Sequence, residues 1–102
     1  MSPKITVDQQ RIADLCRRHH IRRLAFFGSV LREDFRPESD VDVLIEFEPG
    51  HSVGYFGLYH VEQELARLLG GHRPDLINPK FLNRRIRDRV LREAQVQYAA
   101  ER

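Results

Sequence analysis

Apolar residues along this chain recur in two rhythms, and the changes between them mark the elements. Ile12, Leu15 and Cys16 fall on one stripe at helical spacing. Thr6 with Gln9 three residues later has the form of a capping box, so the helix is expected to start there and end near Arg18 or His19. Ile21 to Phe27 then reads as a strand, apolar on both faces at Phe26 and Phe27. Gly28-Ser29 bends it into a short helical turn over Val30 to Asp34, and Arg36-Pro37-Glu38-Ser39 is a turn. From Asp40 to Phe47 the chain alternates: Val41, Val43, Ile45 and Phe47 share one face, and Asp40, Asp42, Leu44 and Glu46 share the other.

Glu48-Pro49-Gly50 stops that strand. Leu58, Val61, Leu65, Leu68 and Leu69 return to helical spacing, and Gly70-Gly71 ends the helix. Pro74 to Ile77 is a short strand with proline at its first residue, where a ladder tolerates it. Asn78-Pro79 has the form of a cap followed by a first helical residue. Leu82, Ile86, Val90 and Ala94 then predict one last helix from Pro79 to Ala99.

The two faces of Asp40 to Phe47 suggest chemistry. The β-branched and aromatic face is of the kind a sheet buries under helices, which leaves Asp40 and Asp42 on the opposite face, about 7 Å apart at Cα. Carboxylates so placed repel unless a cation sits between them, and a hard divalent ion with oxygen ligands suits them. Asp75 adds to this. If Leu76 packs under the helices, Asp75 faces the same way as Asp40 and Asp42 and completes a three-carboxylate site; the other reading is a turn aspartate. Gly28 and Ser29 lie where a close backbone approach and a hydroxyl can hold phosphate oxygens. Together these residues suggest a nucleoside triphosphate with its metal.

Composition narrows the class. With 102 residues, 41% hydrophobic and 31% charged, the chain is expected to form one soluble globular domain, 1–102. It has no run long enough for a membrane span, and its first ten residues contain no secretory apolar region. One cysteine, Cys16, is consistent with a cytoplasmic location and reads as a small buried hydrophobe. The net charge of +2 is small, but Lys80, Arg84, Arg85, Arg87, Arg89 and Arg92 face only Asp88 within the last predicted helix. That run reads as a solvated face, with an acidic partner or RNA as the sharper alternative. His19 and His20 suit the dipole at a helix end, with a metal role for that pair as the lesser alternative, and His51, His60 and His72 show no spacing that suggests a metal site. Tyr55, Phe56 and Tyr59 read as packing or surface aromatics, with stacking on a base as the sharper alternative.

Gly28-Ser29, ten residues, then Asp40-x-Asp42 resembles the signature of the DNA polymerase β-like nucleotidyltransferases. Arg32 four residues after Gly28, Ser39 before the first aspartate, the later Asp75-Leu76 and the length look like the minimal nucleotidyltransferases in particular. The resemblance spans nearly the whole chain. It implies an α+β fold of two layers, a mixed three- to four-stranded sheet with helices on one face. It also implies transfer of a nucleoside monophosphate from a triphosphate. On that likeness Gly28 and Ser29 hold phosphates, Arg32 neutralises pyrophosphate, and Ser39 belongs to the nucleotide site. Asp40, Asp42 and Asp75 ligate two Mg²⁺ ions, with Asp75 also placed to take a proton from the attacking hydroxyl. Family members are commonly paired with a HEPT-domain toxin, which implies AMP transfer from ATP to a tyrosine of that partner, with this chain as antitoxin. The alternatives are a binding module that neutralises the partner by covering it, and an RNA-binding protein using the last helix. Self-association is left open.

Overall fold

The structure is a computed structural model that describes residues 5–33, 35–51 and 53–100. Met1 to Lys4, at the start of the segment inspected for a secretory signal, lie outside the described residues. Helix α1 spans Gln9–Arg18 and strand β1 Ile21–Phe27. Strand β2 is Val41–Phe47, helix α2 Tyr55–Leu68 and strand β3 Pro74–Ile77. Helix α3, Arg84–Glu93, and strand β4, Gln95–Ala99, follow. The expected α+β fold is present, with a four-stranded sheet in the order β3-β2-β1-β4. β1 is antiparallel to both β2 and β4, whereas β2 and β3 are parallel. A parallel pair needs a crossover, and α2 supplies it.

The core lies on one face of the sheet. Ile12, Leu15 and Cys16 of α1 and Val61 and Leu65 of α2 pack with Leu24, Phe26, Val41, Val43 and Ile45, all nearly inaccessible to solvent. Burial pushes the Cys16 thiol up to about 12, so it behaves as a hydrophobe and not as a nucleophile. The opposite face is partly closed as well. Leu44 and its register partner Ala25 are buried there, outside the main cluster.

Three boundaries differ from expectation. Asp8, not Thr6, caps α1: its carboxylate accepts from the N–H groups of Gln10 (3.0 Å) and Arg11 (3.2 Å). A charged acceptor at that place also complements the positive end of the helix. The turn expected over Val30 to Asp34 is a 3₁₀ turn at Gly28–Leu31, and Asp34 lies outside the described residues. The last predicted helix is in fact three elements. A 3₁₀ turn covers Pro79–Phe81, α3 restarts under Asn83, whose side chain accepts from the Ile86 N–H at 3.1 Å, and the chain then extends into β4. β4 covers the free edge of β1, and the Ala100 N–H reaches the Arg22 carbonyl at 2.8 Å. An open edge leaves a row of backbone groups without partners, and pairing them outweighs six more residues of helix. α3 buries none of its side chains.

The two core helices are also joined by charge. Glu64 of α2 accepts from Arg18 at 2.7 Å and from the His19 ring at 2.8 Å. These hydrogen bonds, Arg18 first and His19 second, hold the Glu64 carboxyl down at about 2. A depressed carboxylate contributes stability above its unfolded value and loses it as pH falls through the folded one. Glu64→Gln should therefore lower the unfolding free energy at pH 7 by on the order of 1 kcal/mol. In thermal melts, the gap between wild type and variant should shrink as pH drops from about 5 towards 2.

Candidate active site

Asp42 and Asp75 are register partners on adjacent parallel strands. In-register residues point to the same side, with strands about 4.8 Å apart, so these carboxylates flank one patch of sheet. Leu76 packs against the core, which sends Asp75 the other way and excludes the turn-aspartate reading. Asp40 lies one residue before β2 and is exposed. Its charge nevertheless reaches Asp42. The Asp42 carboxyl is raised above its ordinary value by burial, then by Asp75 and Asp40, with Arg32 acting in the opposite sense. Three charges thus lie within electrostatic reach of one half-buried carboxylate.

The Gly28 bend meets this cluster directly. Gly28 has φ +75°, and a Cβ there would collide with the Asp42 carboxylate. Both facts require glycine. The 3₁₀ turn that follows is anchored by Val30 and Leu31, buried in the core, and the Arg32 N–H closes it on the Ser29 carbonyl at 2.9 Å. Ser29 is half-buried at the start of this anchored turn.

Ser39 plays a local part. Its hydroxyl accepts from the Arg36 N–H at 3.1 Å, and its own N–H reaches the Arg36 carbonyl at 3.0 Å, closing the turn before Asp40. The His72 ring sits 2.9 Å from the Ser39 carbonyl, and the Val41 N–H donates to the Arg73 carbonyl at 2.9 Å. These two ties set the loops leading into β2 and β3 side by side, so Asp42 and Asp75 enter the sheet in register. The sequence reading missed His72 because its partner is a backbone atom 33 residues away.

A cavity of about 1060 Å³ opens beside Asp75. Tyr55, Tyr59, Lys80 and Phe81 line it, whereas Phe56 does not. Tyr55 and Phe81 are 92% and 86% exposed, too open to be core packing. Phe81 escaped notice, and Lys80 reads only as part of the basic run, because Asn78-Pro79 reads as the start of a long helix. At the far end of the acid face Glu46 lies between Arg22 (3.2 Å) and Arg23 (3.3 Å). Its Oε2 is held by charge alone, without a hydrogen bond of good geometry.

The profile of the nucleotidyltransferase domain family matches residues 10–97, which includes Asp40, Asp42, Asp75 and the glycine bend. The chain belongs to that family. A relative from Thermococcus cleftensis, the protein adenylyltransferase MntA, is 38% identical over 80 residues, covering 78% of this chain and 78% of its own. A candidate minimal nucleotidyltransferase of known structure is 37% identical with a TM-score of 0.68, over 84% of this chain and 85% of that one. A toxin–antitoxin structure with AMP-PNP shares the fold, with a TM-score of 0.68 at 16% identity, over 93% and 76% of the two chains. The nucleotidyltransferase is an enzyme with a mixed four-stranded sheet, and its described residues include no helix long and apolar enough to cross a membrane.

The electrostatics of the cluster predict a separable effect. Asp42→Asn removes a half-buried charge facing two others, so the ligand-free nucleotidyltransferase should melt at a higher temperature than wild type, even if transfer is lost. Gly28→Ala should do the reverse, costing about 1–3 kcal/mol from backbone strain and the collision with Asp42, measured by denaturant unfolding.

Proposed function

We propose that this nucleotidyltransferase moves AMP from ATP to a tyrosine hydroxyl of a HEPT-domain toxin and so acts as its antitoxin. The observation that carries the reading is the pairing of Asp42 with Asp75 across β2 and β3, against a glycine bend that leaves no room for a side chain. The protein adenylyltransferase name of the Thermococcus relative and the toxin–antitoxin complex with AMP-PNP point the same way.

The residues fit Mg²⁺. Asp40, Asp42 and Asp75 offer only oxygen donors, and the Asp42 carboxyl is raised by burial and then by the repulsion of Asp75 and Asp40, both of which a bound cation offsets. Bound Mg²⁺, as two ions, supplies charge neutralisation to the phosphates and to the attacking and leaving oxygens. In this reading the chain's own residues do the rest. The Gly28 and Ser29 turn holds the β- and γ-phosphates, and Arg32 offsets the charge that accumulates on pyrophosphate. Ser39 keeps the turn before Asp40 closed. Asp75 accepts the proton of the acceptor hydroxyl. That oxygen bonds to the α-phosphorus, the bond from the α-phosphorus to the bridging oxygen breaks, and pyrophosphate leaves. The cavity beside Asp75 gives a bulky acceptor room to reach the patch, with Tyr55, Tyr59 and Phe81 on its wall.

With α-labelled ATP, Mg²⁺ and the partner toxin, wild type should place label on a partner tyrosine, located by mass spectrometry. Asp42→Asn should lower the rate by roughly a hundredfold or more while keeping the native circular dichroism spectrum. Undiminished labelling by the variant would overturn the assignment. The exposed Phe56, Phe81 and Ile86 favour a second reading, in which the chain silences its partner by covering it. Neutralisation of the toxin by an Asp40/Asp42 double variant at equal abundance would select that reading.

A further inference from the structure

At the opposite end of the sheet, three side chains from separate places in the sequence converge. His20 follows α1, Glu48 follows β2, and His51 lies three residues further on; one ligating atom from each falls within 4.8 Å of the others. The sheet register explains the meeting. β1 and β2 are antiparallel, so the start of β1 lies beside the end of β2, with Ile21 opposite Phe47. Gly28 and Asp42 mark the other end, about 20 Å away along β1. This cluster is therefore distinct from the carboxylate site.

Backbone structure holds all three residues in place. The Glu48 N–H donates to the His20 carbonyl at 2.8 Å, and the His51 N–H donates to the Glu48 carbonyl at 3.1 Å. Glu48-Pro49-Gly50-His51 is a turn with proline second and glycine third, and Gly50 has φ +84°. That is the pattern of a type II turn, which fixes Glu48 and His51 relative to each other. His20 is the only described residue other than glycine with positive φ, at 58°. A glycine would sit there more cheaply, yet the position carries an imidazole.

The side chains make a donor set. His20 Nδ1 lies 3.4 Å from a Glu48 carboxylate oxygen, and the His20 and His51 rings stack at 3.8 Å with 10° between planes. Ligands of a tetrahedral zinc ion, bonded at about 2.0–2.1 Å, lie about 3.4 Å from one another. The His20–Glu48 pair already has that spacing. His51 needs only a tilt off the stack to aim its lone pair inwards, and it is exposed and able to do so. A proton on one imidazole would satisfy Glu48 but make no use of the second ring. An ion that prefers nitrogen uses both.

We propose that His20, Glu48 and His51 form a surface site for a divalent first-row transition ion, best matched by Zn²⁺. Two imidazoles and a carboxylate favour such an ion over Mg²⁺ or Ca²⁺. Three protein ligands leave one position to water. The bound ion clamps the α1–β1 turn to the β2–α2 loop. Glu48 and His51 also line the cavity that reaches Asp75, so the ion stiffens one of its walls.

Untagged, metal-stripped full-length protein should be titrated with Zn²⁺ by calorimetry and with Co²⁺ by visible absorption. Wild type should bind Zn²⁺ with a rise in melting temperature, and Co²⁺ should give the intense bands of a tetrahedral, nitrogen-ligated ion. His51→Gln and His20→Asn, the latter tolerant of positive φ, should each weaken binding by about tenfold or more and abolish those bands. His60→Gln should leave both unchanged. Asp42→Asn separates the two ends of the sheet: it should keep the Co²⁺ bands, since that carboxylate belongs to the other site. No Zn²⁺ uptake by wild type, uptake by both histidine variants equal to that of wild type, or loss of the bands only in Asp42→Asn would overturn the proposal. Both histidine variants retaining native circular dichroism shows that the loss is not unfolding.

Discussion

Two carboxylates held in register on neighbouring strands repel each other, and the fold keeps them there because of what lies on the reverse of the same strands. Val41 and Val43 are fully buried in the core, and Leu76, the register partner of Val43, packs against it. Side chains alternate along a strand, so a slip of one residue would turn Asp42 into the core and Val43 out to water. Burying an unpaired carboxylate costs several kcal/mol, more than the repulsion between Asp42 and Asp75 across a wet surface. The core therefore sets the register, and the register sets the acids. Burial first, and then the repulsion of Asp75 and Asp40, raise the Asp42 carboxyl in that position.

The remaining elements preserve that arrangement. α2 allows β2 and β3 to run parallel, and Gly71 returns its end to the Ala66 carbonyl at 2.9 Å before the chain enters β3. Val30 and Leu31 pin the turn whose first residue abuts Asp42, so core packing also positions the bend. Glu64 adds a charged tie between α1 and α2 on the far side of the core from the acids. A change deep in the core would reach the site through these few contacts.

Much of this was legible because it is local and periodic. The alternation of Asp40 to Phe47, broken only at Leu44, gives both the strand and its two faces, and Pro74 to Ile77 is bounded by unmistakable punctuation. The Asp75 face followed from a single conditional about Leu76, which its packing satisfies. What the sequence concealed depends on partners distant along the chain. His20 and His51 are 31 positions apart, and His20 pairs in the sequence only with its neighbour His19, so no spacing rule could join them. Thr6 and Asp8 are both good caps, and only the placement of the stripe under Ile12 and Leu15 chooses between them.

The C-terminal segment shows why a periodic pattern can mislead. Leu82, Ile86, Val90 and Ala94 share a helical stripe, yet Ile86 is half exposed and α3 has no buried residue. A stripe stabilises a helix only where a surface stands opposite it, and α1 and α2 already fill the core side of the sheet. α3 rests on its Asn83 cap and on surface pairs such as Arg89 with Glu93 at 3.4 Å. The next five residues have a better alternative. Gln95 to Ala99 also alternate, and as a strand they bring Tyr98 against the core while pairing the edge of β1. Local propensity proposed the longer helix, and the unpaired edge of β1 decided against it.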